Sequence, residues 1–371
     1  MRRITYIYKL PQWPSFTWQA EKLSPLLASL RHRQGRLLGR MEGLGFSLQA
    51  EATLKTLTLD VLKSSEIEGE MLNPDQVRSS IARRLGMDIA GLIPADRNVE
   101  GVVEMMIDAT QNYKQIISDE RLFDWHAALF PTGRSGMYKI TVGAWREGSN
   151  GPMQVVSGPL GRERVHFEAP DATLLEAEMS NFIQWFNAEI KIDPILKAGI
   201  AHLWFVTIHP FDDGNGRIAR AITDMQLARA DNTHQRFYSM SAQILKERKS
   251  YYDTLESTQK GTLDITNWIE WFLTCLDRAL TITEETLSGV LKKARFWEKH
   301  VAAPLNDRQR IMLNKLMDGF DGKLNTSKWA KITKTSSDTA LRDITDLMDL
   351  GILAKDSSGG RSTNYLLSEI E

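Results

Sequence analysis

The sequence predicts a mainly α-helical fold, on three observations. Apolar residues recur at spacings of three and four along most of the chain. Helix start and stop signals bracket several of those stretches, and strand-like runs are confined to short places. In chain order, Leu54, Leu57, Val61 and Leu62 put the first apolar stripe on a helix. In "NPDQVRSSIARRL", Asn73 is the cap, Pro74 takes the first helical position and Gln76 completes a capping box. "QVVSGPLGRERVHFEAP" sets two β-rich runs around a Gly-Pro-Leu-Gly turn and ends at Pro170, which predicts a hairpin on the helical body. Phe182, Trp185 and Phe186 form a second helical stripe, and Trp268, Ile269 and Phe272 a third.

At 371 residues the chain has room for about two or three domains, each with its own core. Apolar residues make up 42%, charged residues 25%, and the formal net charge is −1, so no global basic field points to nucleic acid. Cys275 has no second cysteine to pair with, which fits a reducing compartment. "MRRITYIYKLPQWP" carries two arginines with no apolar run behind them, so no secretory signal is expected there. "ILKAGIAHLWFV" is broken by Lys197 and His202 and is too short to span a membrane. A cytoplasmic protein without membrane contact is expected.

The C-terminal segment has its own pattern. "LNDRQRIMLNKLMDG" reads as a helix, "NTSKWAKITK" as a short second one, and "SSDTALRDITDLMDLG" as a third that stops at Gly351. "ILAKDSSGGRSTNYLL" then reads as strand, Ser-Ser-Gly-Gly turn, strand. Three helices closed by a hairpin resemble a winged helix-turn-helix, with a boundary near Ala303–Pro304. Residues 305–371 hold ten Lys/Arg and ten Asp/Glu, and the third helix carries Asp338, Asp343, Asp346 and Asp349 against Arg342. Phosphate binding wants a basic face. DNA binding and protein docking or dimerisation both remain open for this domain.

The densest chemistry is "TIHPFDDGNGRIARAI", Thr207 to Ile222. The preceding apolar helix runs through Leu196, Ile200, Leu203 and Trp204, and Pro210 disfavours its continuing past His209. Gly214 and Gly216 permit positive φ and close backbone approach before a second helix with Ile218, Ile222 and Met225 on its stripe. A glycine-opened helix N-terminus is an anion site. Arg217 and Arg220 add fixed cations on the same helix, and Asp213 beside a phosphate cradle is placed to hold Mg²⁺. His209, with an ordinary pKa of about 6.5, is placed to accept a hydroxyl proton. His202 lies seven residues earlier on a similar face, with no further ligands around it to support a metal site.

"HPFDDGNGRIAR" resembles the signature of the Fic (Fido) family, His-Pro-Phe-x-Asp/Glu-Gly-Asn-Gly-Arg-x-x-Arg, with every defining position filled. The resemblance covers about residues 100–300 and implies a Fic-type helical core. Its members mostly transfer AMP from ATP to a Ser, Thr or Tyr hydroxyl of a protein. By resemblance, His209 is the general base, Asp213 the Mg²⁺ ligand, and Gly214, Asn215 and Gly216 the anion hole. Arg217 and Arg220 then face the ATP phosphates. Kinase-type members carry Ala and Lys where this chain has Gly214 and Gly216, which argues against transfer of the γ-phosphate. The 153–168 hairpin, with Val165 and His166, resembles the family's flap, which pairs with an extended target segment by β-augmentation. "LKERKSYYDTLESTQ" resembles the region that walls the adenine, with Tyr251 and Tyr252 at matching positions, and the pair is equally readable as core. Where the family often has Asn, this chain has Gln259.

Upstream, "LKSSEIEGEML" puts Glu66, Glu68 and Glu70 at a helix C-terminus, against its dipole, with Gly69 as the stop. Read alone, this is a solvated acidic helix end. It also matches the family's autoinhibitory pattern, Ser/Thr-x-x-x-Glu-Gly/Asn, through Ser64, Glu68 and Gly69. The resemblance implies that Glu68 pairs with Arg220 and holds ATP in an unproductive pose. "TYIYKLPQWPSFTWQ" further resembles the N-terminal region of some larger bacterial members.

The expected organisation is an N-terminal helical region with the inhibitory motif (1–100), a catalytic core (101–303) and a winged helix (304–371). The expected function is autoinhibited protein adenylylation with ATP and Mg²⁺, acting on a target protein or on the chain itself, with a homodimer possible. Two alternatives stay open: a DNA-binding regulator whose core only senses nucleotide, and a hydrolase that removes AMP.

Overall fold

The computed structural model describes residues 5–43, 45–87, 92–148, 151–159, 161–317, 320, 322–356 and 363–368. The chain divides into two compact units, Met1–Ile282 and Thr283–Glu371. In the first, helices α1 (Ala20–Glu42), α2 (Phe46–Ile67), α3 (Pro74–Arg84), α4 (Arg97–Gln111) and α5 (Asp119–Leu129) precede two antiparallel hairpins. These pair β1 (Arg134–Ser135) with β2 (Tyr138–Lys139), and β3 (Gln154–Ser157) with β4 (Arg164–Glu168). Helices α6 (Leu175–Asn187), α7 (Pro194–Ile208), α8 (Asn215–Asp231), α9 (Met240–Lys246) and α10 (Arg248–Gln259) follow, and α11 (Thr266–Lys299) runs on past the division.

Helix α7 is the axis of this unit. Every residue from Ile195 to Ile208 is buried, the environment that an all-round apolar helix requires. Leu54, Leu57 and Val61 of α2 share one core with Phe182 and Phe186 of α6, Phe205 of α7 and Ile218 and Ile222 of α8. Leu62 and Trp185 pack at its margin. Helices on both sides of residue 100, α2 to α4 and α5 to α8, contribute to this same core.

Local signals account for most element ends. Asn73 accepts from the N–H groups of Asp75 (2.9 Å) and Gln76 (3.1 Å), and Pro74 opens α3. The reciprocal half of the expected capping box does not form. The Gln76 side-chain oxygen instead accepts from the Asp96 N–H at 3.2 Å, which ties α3 to the start of α4. The N-terminal segment packs on the larger hairpin, where Tyr6 meets Phe167 of β4 edge-to-face at 5.0 Å.

In the second unit, α12 (Asp307–Met317), α13 (Thr326–Thr333) and α14 (Ser337–Asp349) precede an antiparallel pair, β5 (Leu353–Lys355) and β6 (Tyr365–Leu367). Leu324 bridges Tyr365 beside that pair. The core holds Leu313, Trp329, Ile344, Leu347 and Leu353. Three helices and a hairpin in this order match the expected pattern, and the Ser-Ser-Gly-Gly turn at 357–360 lies outside the described residues. Asp343 faces inward, held by Arg308 at 2.8 and 2.9 Å. Among the described residues, no helix is long and apolar enough to cross a membrane.

Candidate active site

The α7–α8 connection builds the site. Helix α7 stops at His209, which takes the left-handed conformation at φ 52°, ψ 59°. For a residue with a Cβ this costs roughly 1–2 kcal/mol, and several hydrogen bonds offset it. The His209 N–H donates to the Phe205 carbonyl at 2.9 Å, and Arg146 Nε donates to the His209 carbonyl at 2.8 Å. The imidazole turns back under α7, where Nδ1 donates to the Val206 carbonyl at 3.3 Å. That fixes the tautomer, because the proton on Nδ1 leaves the Nε2 lone pair free. Burial pushes the His209 pKa down to about 4, against the Val206 contact and the charges of Asp213 and Glu68, so the ring is neutral at pH 7.

The loop from Pro210 to Gly214 is held from several sides. Asp212 accepts from the Thr141 N–H at 2.8 Å. Asp213 accepts from the Gly214 N–H at 2.6 Å and from the Ser135 hydroxyl. The Gly143 N–H donates to Nδ1 of His126 at 3.3 Å, so the His126 proton sits on Nε2 and is donated to the Asp213 carbonyl at 3.1 Å. The His126 ring stacks on Phe211 at 4.2 Å. The Asn215 side chain braces the loop, accepting from the Phe211 N–H (3.0 Å) and donating to the Phe211 carbonyl (2.8 Å). With its side chain committed to the loop, Asn215 presents its backbone N–H at the start of α8.

Helix α8 opens at Asn215, so its first N–H groups have no partner within the helix. Gly214 sits at φ 81°, and a Cβ there would lie 2.9 Å from the Phe130 ring. A Cβ on Gly216 would overlap a carboxylate oxygen of Glu68 and lie 3.2 Å from Arg220 Nη1. The two glycines therefore do different work: one takes the backbone turn, the other admits the carboxylate to the helix end.

Glu68 reaches that position because α2 ends in a Schellman motif. Gly69 is left-handed at φ 84°, its N–H donates to the Glu66 carbonyl, and the Glu70 N–H donates to that of Ser65, both at 3.0 Å. The turn presents two carboxylates to α8. Glu68 pairs with Arg220 Nη2 at 2.8 Å, and Glu70 pairs with Arg217 Nη1 at 2.7 Å. Arg220 also donates to the Ser64 hydroxyl and carbonyl, each at 2.8 Å. Burial opposes its charge, yet Glu68 holds the Arg220 pKa above its ordinary value. Arg220 Nη1 and Arg217 Nε are buried without a hydrogen-bond partner. Buried cationic donors left unmet are costly, and an anion in the cradle would meet them. The Glu70–Arg217 pair was not foreseen, since in the sequence Glu70 reads only as one of three acids at the helix end.

In the β3–β4 hairpin, Val165 points outward, 40% exposed. His166 is half-buried between Glu256 and Ser157, each at 2.6 Å, a bracing position for a strand residue. Arg164 reaches Glu256 as well, at 3.1 Å, so the hairpin is anchored on α10. Of the expected adenine pair, Tyr251 is a core residue. Thr223 spends its proton on the Ala219 carbonyl, so His202 Nδ1 donates to Thr223 and Tyr251 donates to His202 Nε2 at 2.8 Å. Adjacent residues on a helix face different ways, and only Tyr252 reaches the surface, 37% exposed. Gln259 is buried against Thr207 at 3.3 Å.

Three neutral histidines give a pH prediction. Burial lowers the pKa of His202 to about 3 and those of His126 and His209 to about 4. Between about pH 6.5 and 4 the unfolded chain binds protons that the folded one does not, so stability is full above 6.5 and lost as pH falls. Each such histidine removes up to about 1.4 kcal/mol per pH unit across that window. Denaturant melts at pH 7, 6 and 5 check this. A midpoint that does not drop between 6.5 and 5 contradicts it.

The Fic/DOC family pattern matches residues 116–227, and a domain of unknown function, DUF4172, matches residues 6–87. The protein adenylyltransferase Fic of Culex quinquefasciatus is 35% identical over 106 residues, 28% of this chain and 20% of that protein. Its namesake in Drosophila yakuba is 26% identical over 233 residues, 60% of this chain and 41% of that protein. The chain thus spans less than half the length of these relatives. A Fic family protein from Desulfovibrio desulfuricans G20 matches in structure with a TM-score of 0.54 at 20% identity, over 96% of this chain and 99% of the other. A Fic domain containing signaling protein from Bacteroides thetaiotaomicron VPI-5482 gives 0.51 at 18%, over 71% and 97%. Residues 116–227, with the His209–Arg220 loop toward their C-terminal end, are a Fic/DOC-family domain.

Proposed function

We propose that this protein transfers AMP from ATP to a Ser, Thr or Tyr hydroxyl of a protein, and that its own N-terminal turn holds the reaction back. One observation carries the reading: the Glu68 carboxylate lies where Gly216, the start of α8 and Arg220 converge. An anion slot built from helix N–H groups and buried arginines is already filled by an acid of the same chain. In the open state the phosphates of ATP take that place, with Arg217 and Arg220 as their cations. The target oxygen attacks the α-phosphorus, a new P–O bond forms, the bond to pyrophosphate breaks, and the hydroxyl proton passes to Nε2 of His209. Catalysis is then mainly positioning and charge neutralisation.

Asp213 is the carboxylate placed for Mg²⁺. No cluster of three ligating side chains occurs among the described residues. A single carboxylate suits an ion that arrives with its phosphates and keeps several waters. The metal would neutralise charge on the leaving pyrophosphate, and Ser135, now bonded to Asp213, would yield its place. The β3–β4 hairpin offers a strand edge to an extended target segment, and Tyr252 is the aromatic face left for the adenine. Intact mass after incubation with ATP and Mg²⁺ tests the reading. An AMP-sized adduct on the Glu68→Gly chain or an added protein supports it, and ATP bound with no adduct on any protein opposes it.

For residues 305–371 we propose protein docking over DNA binding. Asp338, Asp346 and Asp349 are exposed on α14, and Arg342 stands alone among them. No mobility shift of random duplex DNA is expected even at low salt. A shift that weakens steeply with added salt would show phosphate contacts instead.

A further inference from the structure

Arg146 lies outside the His209–Arg220 motif and is 5% exposed, yet it holds both sides of the site. Its backbone N–H donates to the Pro210 carbonyl at 2.9 Å, and its Nε donates to the His209 carbonyl at 2.8 Å. Its Nη2 donates to the carbonyl of Pro170 at 2.5 Å. Pro170 follows β4 by two residues, at the foot of the hairpin. One side chain therefore joins the left-handed His209 turn to the base of the strand pair. Burial lowers the Arg146 pKa, and the carboxylates of Asp212 and Asp171 oppose that shift.

We propose that Arg146 is the positioning residue that registers His209 against the hairpin. This rests on His209 as base and the hairpin as target platform. A left-handed histidine directs its carbonyl away from α7, where the helix supplies no donor, and Arg146 supplies one. With that carbonyl held, the ring lies under α7 and Nδ1 meets Val206, which exposes the Nε2 lone pair. With Pro170 held by the same fork, a target residue paired to the hairpin arrives at a fixed distance from that lone pair. Only a planar fork serves two carbonyls in different directions, so lysine is a poor substitute.

The test uses Arg146→Gln and Arg146→Lys. Imidazole nitrogen shifts, measured by NMR without ATP or target and assigned by the resonance missing in His209→Ala, report the His209 tautomer. The parent should show a protonated Nδ1, and Arg146→Gln a tautomer mixture. In the Glu68→Gly background, AMP transfer should lose roughly ten- to a hundredfold in kcat, as small misplacements of reacting groups do, with KM for ATP unchanged. If Arg146→Gln does not fold, Arg146→Lys shows the same changes in smaller measure. A folded variant with the parent tautomer and parent kcat would overturn the inference. Because the tautomer is read without ATP, it separates this inference from the transfer reading, which fails if Glu68→Gly itself transfers nothing.

Discussion

Glu68→Gly is expected to raise AMP transfer by roughly ten- to a hundredfold over the parent. On the proposed reading, the Glu68–Arg220 pair, at 2.8 Å, occupies the cation that the terminal phosphate would need. A charge-assisted pair contributes on the order of 1.5–3 kcal/mol, and about 1.4 kcal/mol is tenfold in rate. The structure adds a second hold, since Glu70 pairs with Arg217 at 2.7 Å and survives the single change. Glu70 is about one-third exposed, so water screens that pair and its share is smaller. Glu68→Gly with Glu70→Ala should therefore exceed Glu68→Gly alone by a few-fold. Arg220→Ala should show no gain, because it removes the phosphate partner together with the latch. Equal adduct yields from parent and Glu68→Gly would return the turn to an acidic helix end with no regulatory part.

His209→Ala, made in the Glu68→Gly background, is expected to lose transfer by roughly a hundred- to ten-thousandfold, the usual share of a positioned proton acceptor. ATP affinity should hold. The ring makes its bond to Val206, and the cradle is built from α8, Arg217 and Arg220. Adduct formation rates and ATP dissociation constants of the two proteins check both halves. Undiminished transfer by the variant would remove His209 as the base.

Much of the site was legible in the sequence because local chemistry determines it. Pro210 ends α7, Gly214 takes the positive φ, and Gly69 closes α2, each a choice made within a few residues. The Glu68–Arg220 pair was legible only through the family resemblance of two separate motifs, one carrying each residue. What stayed hidden depends on contacts between distant segments. His126, Ser135 and Arg146 hold the loop from residues far along the chain, and no periodicity marks a side chain that reaches a remote carbonyl. The capping box misled because Gln76 found a better acceptor role on α4. Of the tyrosine pair, equally readable as core, the buried His202 claims Tyr251 and leaves Tyr252 at the surface.

ATP radiolabelled at the α-phosphorus, followed in the Glu68→Gly protein with and without His209→Ala, tests the central claim most directly. The claim expects label fixed covalently on the chain or on a protein of an added lysate, absent when the label is at the γ-phosphorus. It also expects the label to be lost with His209. Transfer of γ-label, or α-label that persists without His209, would contradict it.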